Sequence, residues 1–102
     1  MSTPRDGAAE AFLSAVVDGD GFDRASLSGV LRDPATAGEG EFTCWLEVTP
    51  RCANRFGTLH GGLVATIVDV VGTAALVTKT DVPGVSVDIN VTYLRAARLG
   101  EE

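Results

Sequence analysis

Residues 54–62 read NRFGTLHGG and lead directly into LVATIVDVVGTAALVT at residues 63–78. The first stretch ends on the one histidine of the chain and two glycines, and the second is apolar around a single carboxylate, Asp69. We expect a helix to begin after the histidine, and a helix start offers backbone N–H groups that favour the charge of a developing oxyanion. A carboxylate in apolar surroundings must be paired, hydrated or protonated, which makes it a candidate base. Together these features predict acyl transfer to water.

The predicted central helix runs from residue 61 to about residue 78 and is apolar almost all round. Its uncharged run is too short for a membrane span, because Asp69 lies in the middle of it. Such a helix is typical of a protein core, where a sheet wraps around it. The run of β-branched residues also fits a buried strand, so the pattern alone leaves that alternative open.

Periodicity and turn residues predict four further elements. Apolar residues at helical spacing indicate a short helix over residues 8–17, which ends at an Asp-Gly-Asp-Gly turn. Residues 25–31 fit a first short strand, and residues 33–40 contain proline and glycine that break the chain. Residues 41–49 and 85–93 alternate between apolar and polar side chains, so each predicts a strand with one buried face.

Composition and charge exclude several classes of function. With 102 residues, the chain is expected to form one domain over residues 1–102. The net charge of −6 argues against nucleic acid, because no basic stripe neutralises phosphates, and against an electrostatic membrane anchor. Cys44 and Cys52 are too few for a disulfide scaffold, and residues 1–10 lack the apolar core of a signal peptide. We therefore expect a reduced, cytoplasmic protein.

Three segments in the second half of the chain carry a family resemblance. They are GTLHGG at residues 57–62, ATIVD at residues 65–69 and GVSVDINVTY at residues 84–93. In order and spacing they resemble the small hotdog-fold thioesterases of the phenylacetic-acid-degradation type, above all the eukaryotic acyl-CoA thioesterases. The resemblance implies an α+β hotdog fold, in which an antiparallel sheet wraps around a long central helix and two protomers join their sheets edge to edge. It further implies a homodimer that can pair into a homotetramer, and it adds mitochondrial association as a second location.

The resemblance also implies a function and a set of site residues. The function is hydrolysis of an acyl-CoA thioester to free acid and coenzyme A, without metal or cofactor, since coenzyme A is part of the substrate. The backbone N–H of Gly61 polarises the thioester carbonyl, and Asp69 activates water or attacks directly. Asn54 and Ser86 help position the water or the carboxylate, and His60 supports the loop or the carbonyl side.

Helical spacing adds a prediction about His60 and Asp69. The two residues are nine positions apart, which at about 100° per residue places them on opposite sides of a helix. One protomer therefore does not bring both into one pocket, whereas a two-fold dimer brings Asp69 of one chain to Gly61 of the other. Small or polar residues near these groups are expected to admit the thioester, and arginines to contact the phosphates of coenzyme A. The predicted substrate-binding residues are Gly62, Thr66, Thr73, Arg55, Arg95 and Arg98.

The resemblance leaves the size of the sheet and the chemistry open. A hotdog domain of this type supplies further strands after residue 102, so we expect a C-terminally short sheet with an unpaired edge. Three alternatives remain: an acyl-CoA-binding or regulatory module of the same fold, a hotdog hydratase or dehydratase, and a structural oligomerisation domain. A hydratase pairs an acid and a histidine close together in one chain, which the spacing of His60 and Asp69 disfavours.

Overall fold

A computed structural model describes residues 7–80 and 82–102. Residues 1–6, which belong to the segment predicted not to be a signal peptide, lie outside the described residues. In chain order the elements are α1 (Ala8–Asp18), α2 (Phe22–Leu27), β1 (Arg32–Gly38), β2 (Glu41–Trp45), a 3₁₀ turn (Pro50–Cys52) and α3 (Gly61–Val77). Within the described ranges, no helix is long and apolar enough to cross a membrane.

The core forms where the two N-terminal helices pack against α3. Its buried cluster consists of Leu13 from α1, Leu27 from α2 and Val70 from α3. Strand β2 packs on the same long helix through Phe42. The predicted helix over residues 8–17 and the predicted central helix are therefore both confirmed, with α1 ending one residue later and α3 one residue earlier than expected.

Strands β1 and β2 form a two-stranded antiparallel sheet. The register pairs Arg32 with Trp45 and Gly38 with Glu41, and it is irregular between Arg32 and Ala35. The prediction that residues 33–40 only break the chain is wrong for β1. Asp33 takes a positive φ of 52° at this irregularity, and a proline beside it is tolerated because a bulged strand leaves ladder positions unpaired.

The predicted strand over residues 41–49 is confirmed in its first half. The ladder ends at Trp45, but the alternation of burial continues, and Val48 is buried. Beyond the ladder the backbone pairs with the C-terminal residues instead, since the Val48 N–H donates to the Glu101 carbonyl at 2.8 Å. The sequence pattern therefore identified the buried face but not the end of the strand.

The prediction of a strand at residues 25–31 is wrong, because helix α2 occupies its first part. Leu27 is buried through helical packing against Leu13 and Val70 rather than through one face of a sheet. Gly29 follows with a φ of 73°, a left-handed conformation that favours glycine and ends the helix. A window of seven residues is too short for periodicity to separate the two structures.

The prediction of a strand at residues 85–93 is also wrong. Within residues 82–102 the structure has no strand, only an isolated bridge between Thr58 and Arg98. All of the alternating apolar residues except the half-buried Val91 are exposed, at 91% for Val85 and 98% for Val87. Alternation predicts a face, but a strand also needs a partner, and none lies beside this segment in the described residues. The α+β class is confirmed, whereas the described sheet does not wrap around α3.

A carboxylate at Glu10 ties α1 to β1 and gives the fold a pH dependence. Its Oε1 accepts hydrogen bonds from the Thr36 N–H and hydroxyl, both at 2.8 Å. Backbone hydrogen bonding at Glu10 itself lowers the pKa of this carboxyl below its usual range, and the two Thr36 donors lower it further. The folded pKa is thus depressed, so this contribution to stability is fully present above the unfolded pKa and is lost as pH falls through the folded value.

We expect Glu10→Gln to lower the free energy of unfolding at neutral pH by about 1 kcal/mol, because a neutral amide accepts weaker hydrogen bonds than a carboxylate. The measurement is urea unfolding of both proteins at neutral pH and at a pH below 4. The difference between them should shrink at acid pH. An equal difference at both pH values would show that the charge of Glu10 does not contribute.

Candidate active site

His60 caps the N terminus of α3 with its own side chain. Its Nδ1 accepts a hydrogen bond from the Gly62 N–H at 2.9 Å, in the manner of an N-cap residue. The backbone N–H of His60 donates to the Cys52 carbonyl at 2.9 Å, which anchors the cap to the 3₁₀ turn. An imidazole nitrogen that accepts in this way carries no proton, so the neutral ring holds its proton on Nε2. His60 is exposed, and this N–H is available to a ligand.

Gly61 supplies the N–H predicted to polarise a carbonyl. It is the first helical residue, where the N–H has no partner inside the helix. Among the described residues, no group accepts a hydrogen bond from it. Its carbonyl accepts from the Tyr93 hydroxyl at 2.8 Å. The helix start therefore presents the free Gly61 N–H next to the imidazole.

Asn54 shapes the loop that leads to this helix. Its Oδ1 accepts from the N–H groups of Phe56 at 2.9 Å and Thr58 at 3.2 Å, and its Nδ2 donates to the Thr58 hydroxyl at 2.9 Å. Gly57 closes the turn with a φ of 77°. The amide thus retains one N–H for another partner, and a role toward water or carboxylate stays a prediction.

Asp69 lies in the middle of α3, half-buried, with a hydroxyl donor on its carboxylate. The donor is Ser86, from the segment that follows the helix. The hydroxyl of Thr73 instead donates to the backbone carbonyl of Asp69 at 2.7 Å, so it does not reach the carboxylate. Two adjoining clefts of about 290 and 280 Å³ both contain Asp69, Thr73 and Ser86 in their walls. The structure therefore brings together three of the predicted site residues.

A different cavity, of about 320 Å³, lies at the start of α3 beside His60 and Gly62. Its apolar walls come from α2, the residue after the 3₁₀ turn, and α3; they are Phe22, Ala25, Ala53 and Leu63. Ligand pockets of this size are at the small end of those that bind organic molecules. The cavity is thus suited to a compact apolar group beside His60 and Gly62 at the start of α3.

The hydroxyl and guanidinium groups of this cavity donate to nearby backbone carbonyls. The Ser26 hydroxyl donates to the Phe22 carbonyl at 2.8 Å, and the Thr66 hydroxyl donates to the Gly62 carbonyl at 2.9 Å. The Arg51 guanidinium donates to the carbonyls of Ala25, at 2.8 Å, and Ser28. An apolar ligand therefore meets few unpaired donors here, which lowers the cost of desolvating the walls.

Asp69 and the His60 end of the helix do not meet in the structure. His60 lines the cavity at the start of α3, whereas Asp69 lines the two clefts beside Ser86. From Gly61 to Asp69 the helix rises by about 12 Å, at 1.5 Å per residue. A site that uses both groups must therefore draw them from two chains.

The predicted arginines remain at the surface. Arg55 lies over the Phe56 ring, with its guanidinium carbon 4.6 Å from the centroid, and Arg95 and Arg98 are exposed. None of the three lines the cavities described above. No cluster of three or more His, Cys, Asp or Glu side chains in residues 7–80 and 82–102 could hold a metal ion.

Sequence reasoning missed one residue of the site, Tyr93. Its hydroxyl reaches the first residue of α3 from 32 positions further along the chain. Alternation assigned Tyr93 to the apolar face of a predicted strand, and no local signal indicated a contact with Gly61. A contact of this kind depends on how the chain returns to the helix start, which periodicity does not encode.

Comparisons with known proteins identify the class of fold to which this chain belongs. Residues 56–102 match the family described as "Thioesterase superfamily". The solved structure of zebrafish thioesterase superfamily member 2 is similar, with a TM-score of 0.77 and 43% identity over 88% of this chain and 64% of that one. The fold is accordingly that of the hotdog thioesterases, and residues 56–102 belong to the thioesterase superfamily. The resemblance stated above is confirmed.

Two of the similar curated proteins are named as acyl-CoA thioesterases. Mouse acyl-coenzyme A thioesterase 13 is 45% identical over 83 residues, which are 80% of this chain and 57% of that protein. The human protein of the same name is 48% identical over 68 residues, which are 66% of this chain and 49% of that protein. This chain is homologous to these acyl-CoA thioesterases and spans about half the length of the curated relatives it matches.

Proposed function

We propose that this protein is an acyl-CoA thioesterase, which hydrolyses an acyl-CoA thioester to a free acid and coenzyme A. The observation that carries the proposal is the free Gly61 N–H beside the neutral imidazole of His60, on the same helix as a half-buried Asp69. Homology to proteins named for this activity supports it. Coenzyme A enters as part of the substrate and leaves as product, so the proposed reaction uses no cofactor.

The proposed mechanism places the thioester carbonyl at the start of α3. The Gly61 N–H and the Nε2–H of His60 donate to the carbonyl oxygen, and they stabilise the negative charge that develops there. Asp69 takes a proton from a water molecule that attacks the carbonyl carbon, or its carboxylate attacks directly and water then cleaves the anhydride. In either route the carbon–sulfur bond breaks and the sulfur of coenzyme A leaves as a thiolate, which is protonated.

The proposed site is shared between two protomers. Because His60 and Asp69 line separate cavities, we assign the carbonyl-binding end to one protomer and the carboxylate to its partner. Exposed apolar side chains on α3 and after it support an interface there; they are Val68, Leu76, Val85 and Val87. A homodimer is the smallest assembly that completes the site, and a dimer of dimers is compatible with it.

The cavity beside His60 is proposed to receive the acyl group. A thioester carbonyl held by Gly61 brings the adjoining carbons to these apolar walls, whereas the phosphates of coenzyme A need the open surface. We expect Ala25→Trp, on the α2 wall, to lower kcat/KM about tenfold for octanoyl-CoA relative to acetyl-CoA, because the larger side chain fills space that only the longer acyl group uses.

The matched control for this prediction is Ala11→Trp, which makes the same change at an exposed position of α1 outside the cavity. It should leave the ratio of the two substrates unchanged. Steady-state kinetics with the two thioesters measures both variants. An Ala25→Trp enzyme with the wild-type ratio would place the acyl group elsewhere.

A non-catalytic acyl-CoA-binding module is the second candidate. The separation of His60 and Asp69 in one protomer favours it, since a monomer would offer the carbonyl site without the carboxylate. The test compares release of free coenzyme A with binding of a non-hydrolysable S-alkyl coenzyme A thioether. Turnover of short, long or aromatic acyl-CoA esters, blanked for the thiols of Cys44 and Cys52, supports the enzyme. Binding by a folded dimer without turnover supports the module.

We also propose a cytoplasmic location, with association with mitochondria as the alternative. The support comes from the two cysteines, which are both free thiols. Burial raises the pKa of the Cys44 thiol, which keeps it protonated and slow to react. Such thiols persist in a reducing compartment.

A further inference from the structure

A chain of two hydrogen bonds joins Tyr93 to the imidazole of His60. The Tyr93 hydroxyl donates to the Gly61 carbonyl at 2.8 Å. That carbonyl belongs to the peptide group whose N–H is the amide of Gly62, and this N–H donates to Nδ1 of His60 at 2.9 Å. Tyrosine, peptide and imidazole thus form one continuous donor–acceptor series.

Each bond in this series strengthens the next. A hydrogen bond to a carbonyl polarises its peptide group, so the N–H on the other side becomes a better donor. A stronger Gly62 donor favours the imidazole tautomer with an unprotonated Nδ1. In the other tautomer the Nδ1–H would face the Gly62 N–H, and two donors would meet without an acceptor. The ring then carries its proton on Nε2, where a substrate carbonyl can accept it.

We propose that Tyr93 is a positioning residue that, through the 61–62 peptide, holds His60 in the Nε2–H tautomer and in a fixed orientation. The catalytic consequence rests on the proposed thioesterase function, whereas the effect on the tautomer does not. The Tyr93 ring packs beside Gly61, where a Cβ would be in ordinary contact with the ring, at 3.6 Å. The Tyr93 side chain is 58% exposed. Its hydroxyl therefore forms this hydrogen bond in competition with water.

The simpler explanation is that Tyr93 only anchors the segment after α3. An anchor would affect the stability of the protein but not the tautomer of His60. The chain contains one histidine and one tyrosine, so the imidazole nitrogens give one set of ¹⁵N signals and tyrosine analogues enter at one position. These two facts make the proposal testable without ambiguity of assignment.

The test is ¹⁵N NMR of the imidazole in wild-type protein and in Tyr93→Phe, at a pH where the ring is neutral. We expect the wild type to show the Nε2–H tautomer, and the variant to gain Nδ1–H tautomer and weaken the Gly62 amide hydrogen bond. The kcat/KM should fall about fivefold, as for loss of one ordinary hydrogen bond. Thr92→Val, the matched control, removes an exposed neighbouring hydroxyl that forms no hydrogen bond within the described residues, and should leave both signals unchanged.

Incorporation of 3-fluorotyrosine provides a second measurement that keeps the ring and the hydroxyl. Its more acidic hydroxyl is a stronger donor, so the Gly62 amide proton should move downfield while the Nε2–H tautomer persists. A wild-type ring in the Nδ1–H tautomer, or ¹⁵N signals that do not change in Tyr93→Phe, would overturn the proposal. If the signals respond as expected but no acyl-CoA is hydrolysed, the positioning role stands and the proposed function fails.

Discussion

We expect Asp69→Asn to lower kcat for acyl-CoA hydrolysis by about 10²- to 10⁴-fold, which is the range for losing a general base. Asparagine has the same shape as aspartate, and its Oδ1 can still accept the hydrogen bond from Ser86. It cannot take a proton from water or attack a carbonyl. The fold should survive, since the side chain is only half-buried and the apolar contacts of α3 do not involve it.

The measurement is release of free coenzyme A, with thermal unfolding followed in parallel. Asp88→Asn is the matched control, because Asp88 is an exposed carboxylate close to Ser86 in the chain and forms no hydrogen bond within the described residues. That variant should keep wild-type turnover. A folded Asp69→Asn protein that retains more than about a tenth of the wild-type kcat would remove Asp69 from the chemistry.

Helix α3 and its cap could be predicted from the sequence because their signals are local. The apolar run of residues 63–78 and the glycines before it describe one helix, and the structure begins that helix at Gly61. The pairing of Asp69 with Ser86 was also expected, although only from the family resemblance, since 17 residues separate them. Local pattern alone would have left Ser86 as a polar residue of a strand.

What could not be predicted depends on partners distant in the chain. Residues 85–93 alternate as a strand does, yet a ladder requires a second strand, and alternation does not say whether one is adjacent. Residues 25–31 are too few for their periodicity to distinguish a helix from a strand. The helix is favoured because it buries Leu27 against α1 and α3. The contact of Tyr93 with Gly61 has the same origin, because it follows from the path of the chain after α3.

A second large effect is expected from Gly61→Pro, which deletes the N–H that we propose binds the carbonyl, without breaking α3. Proline is favoured at the first position of a helix, where the N–H has no helical partner. The residue before it must be extended, and His60 already is, with φ −63° and ψ 128°. We therefore expect a folded protein of equal or greater stability in which kcat falls by about 10²- to 10³-fold, as for loss of an oxyanion donor.

The matched control is Gly61→Ala, which keeps the N–H and places its Cβ in ordinary contact with the Tyr93 ring, at 3.6 Å. It should remain within a few-fold of wild type, so the difference between alanine and proline reports the N–H alone. Kinetics and thermal unfolding of both variants decide the matter. Equal turnover by the two folded variants would show that the Gly61 N–H does not bind the carbonyl.

The two inactive variants together test whether the site is shared. In a mixed dimer, the Asp69→Asn chain supplies an intact Gly61 and the Gly61→Pro chain supplies an intact Asp69, so one of the two shared sites is complete. Random exchange of equal amounts should therefore restore about a quarter of the wild-type activity, since half of the dimers are mixed and each has one working site. A site built within one protomer would regain nothing, because every chain in the mixture carries a defect. Recovery of activity thus distinguishes a shared site from a site within one chain. The recovered activity should fall on dilution, at the protein concentrations where the dimer dissociates.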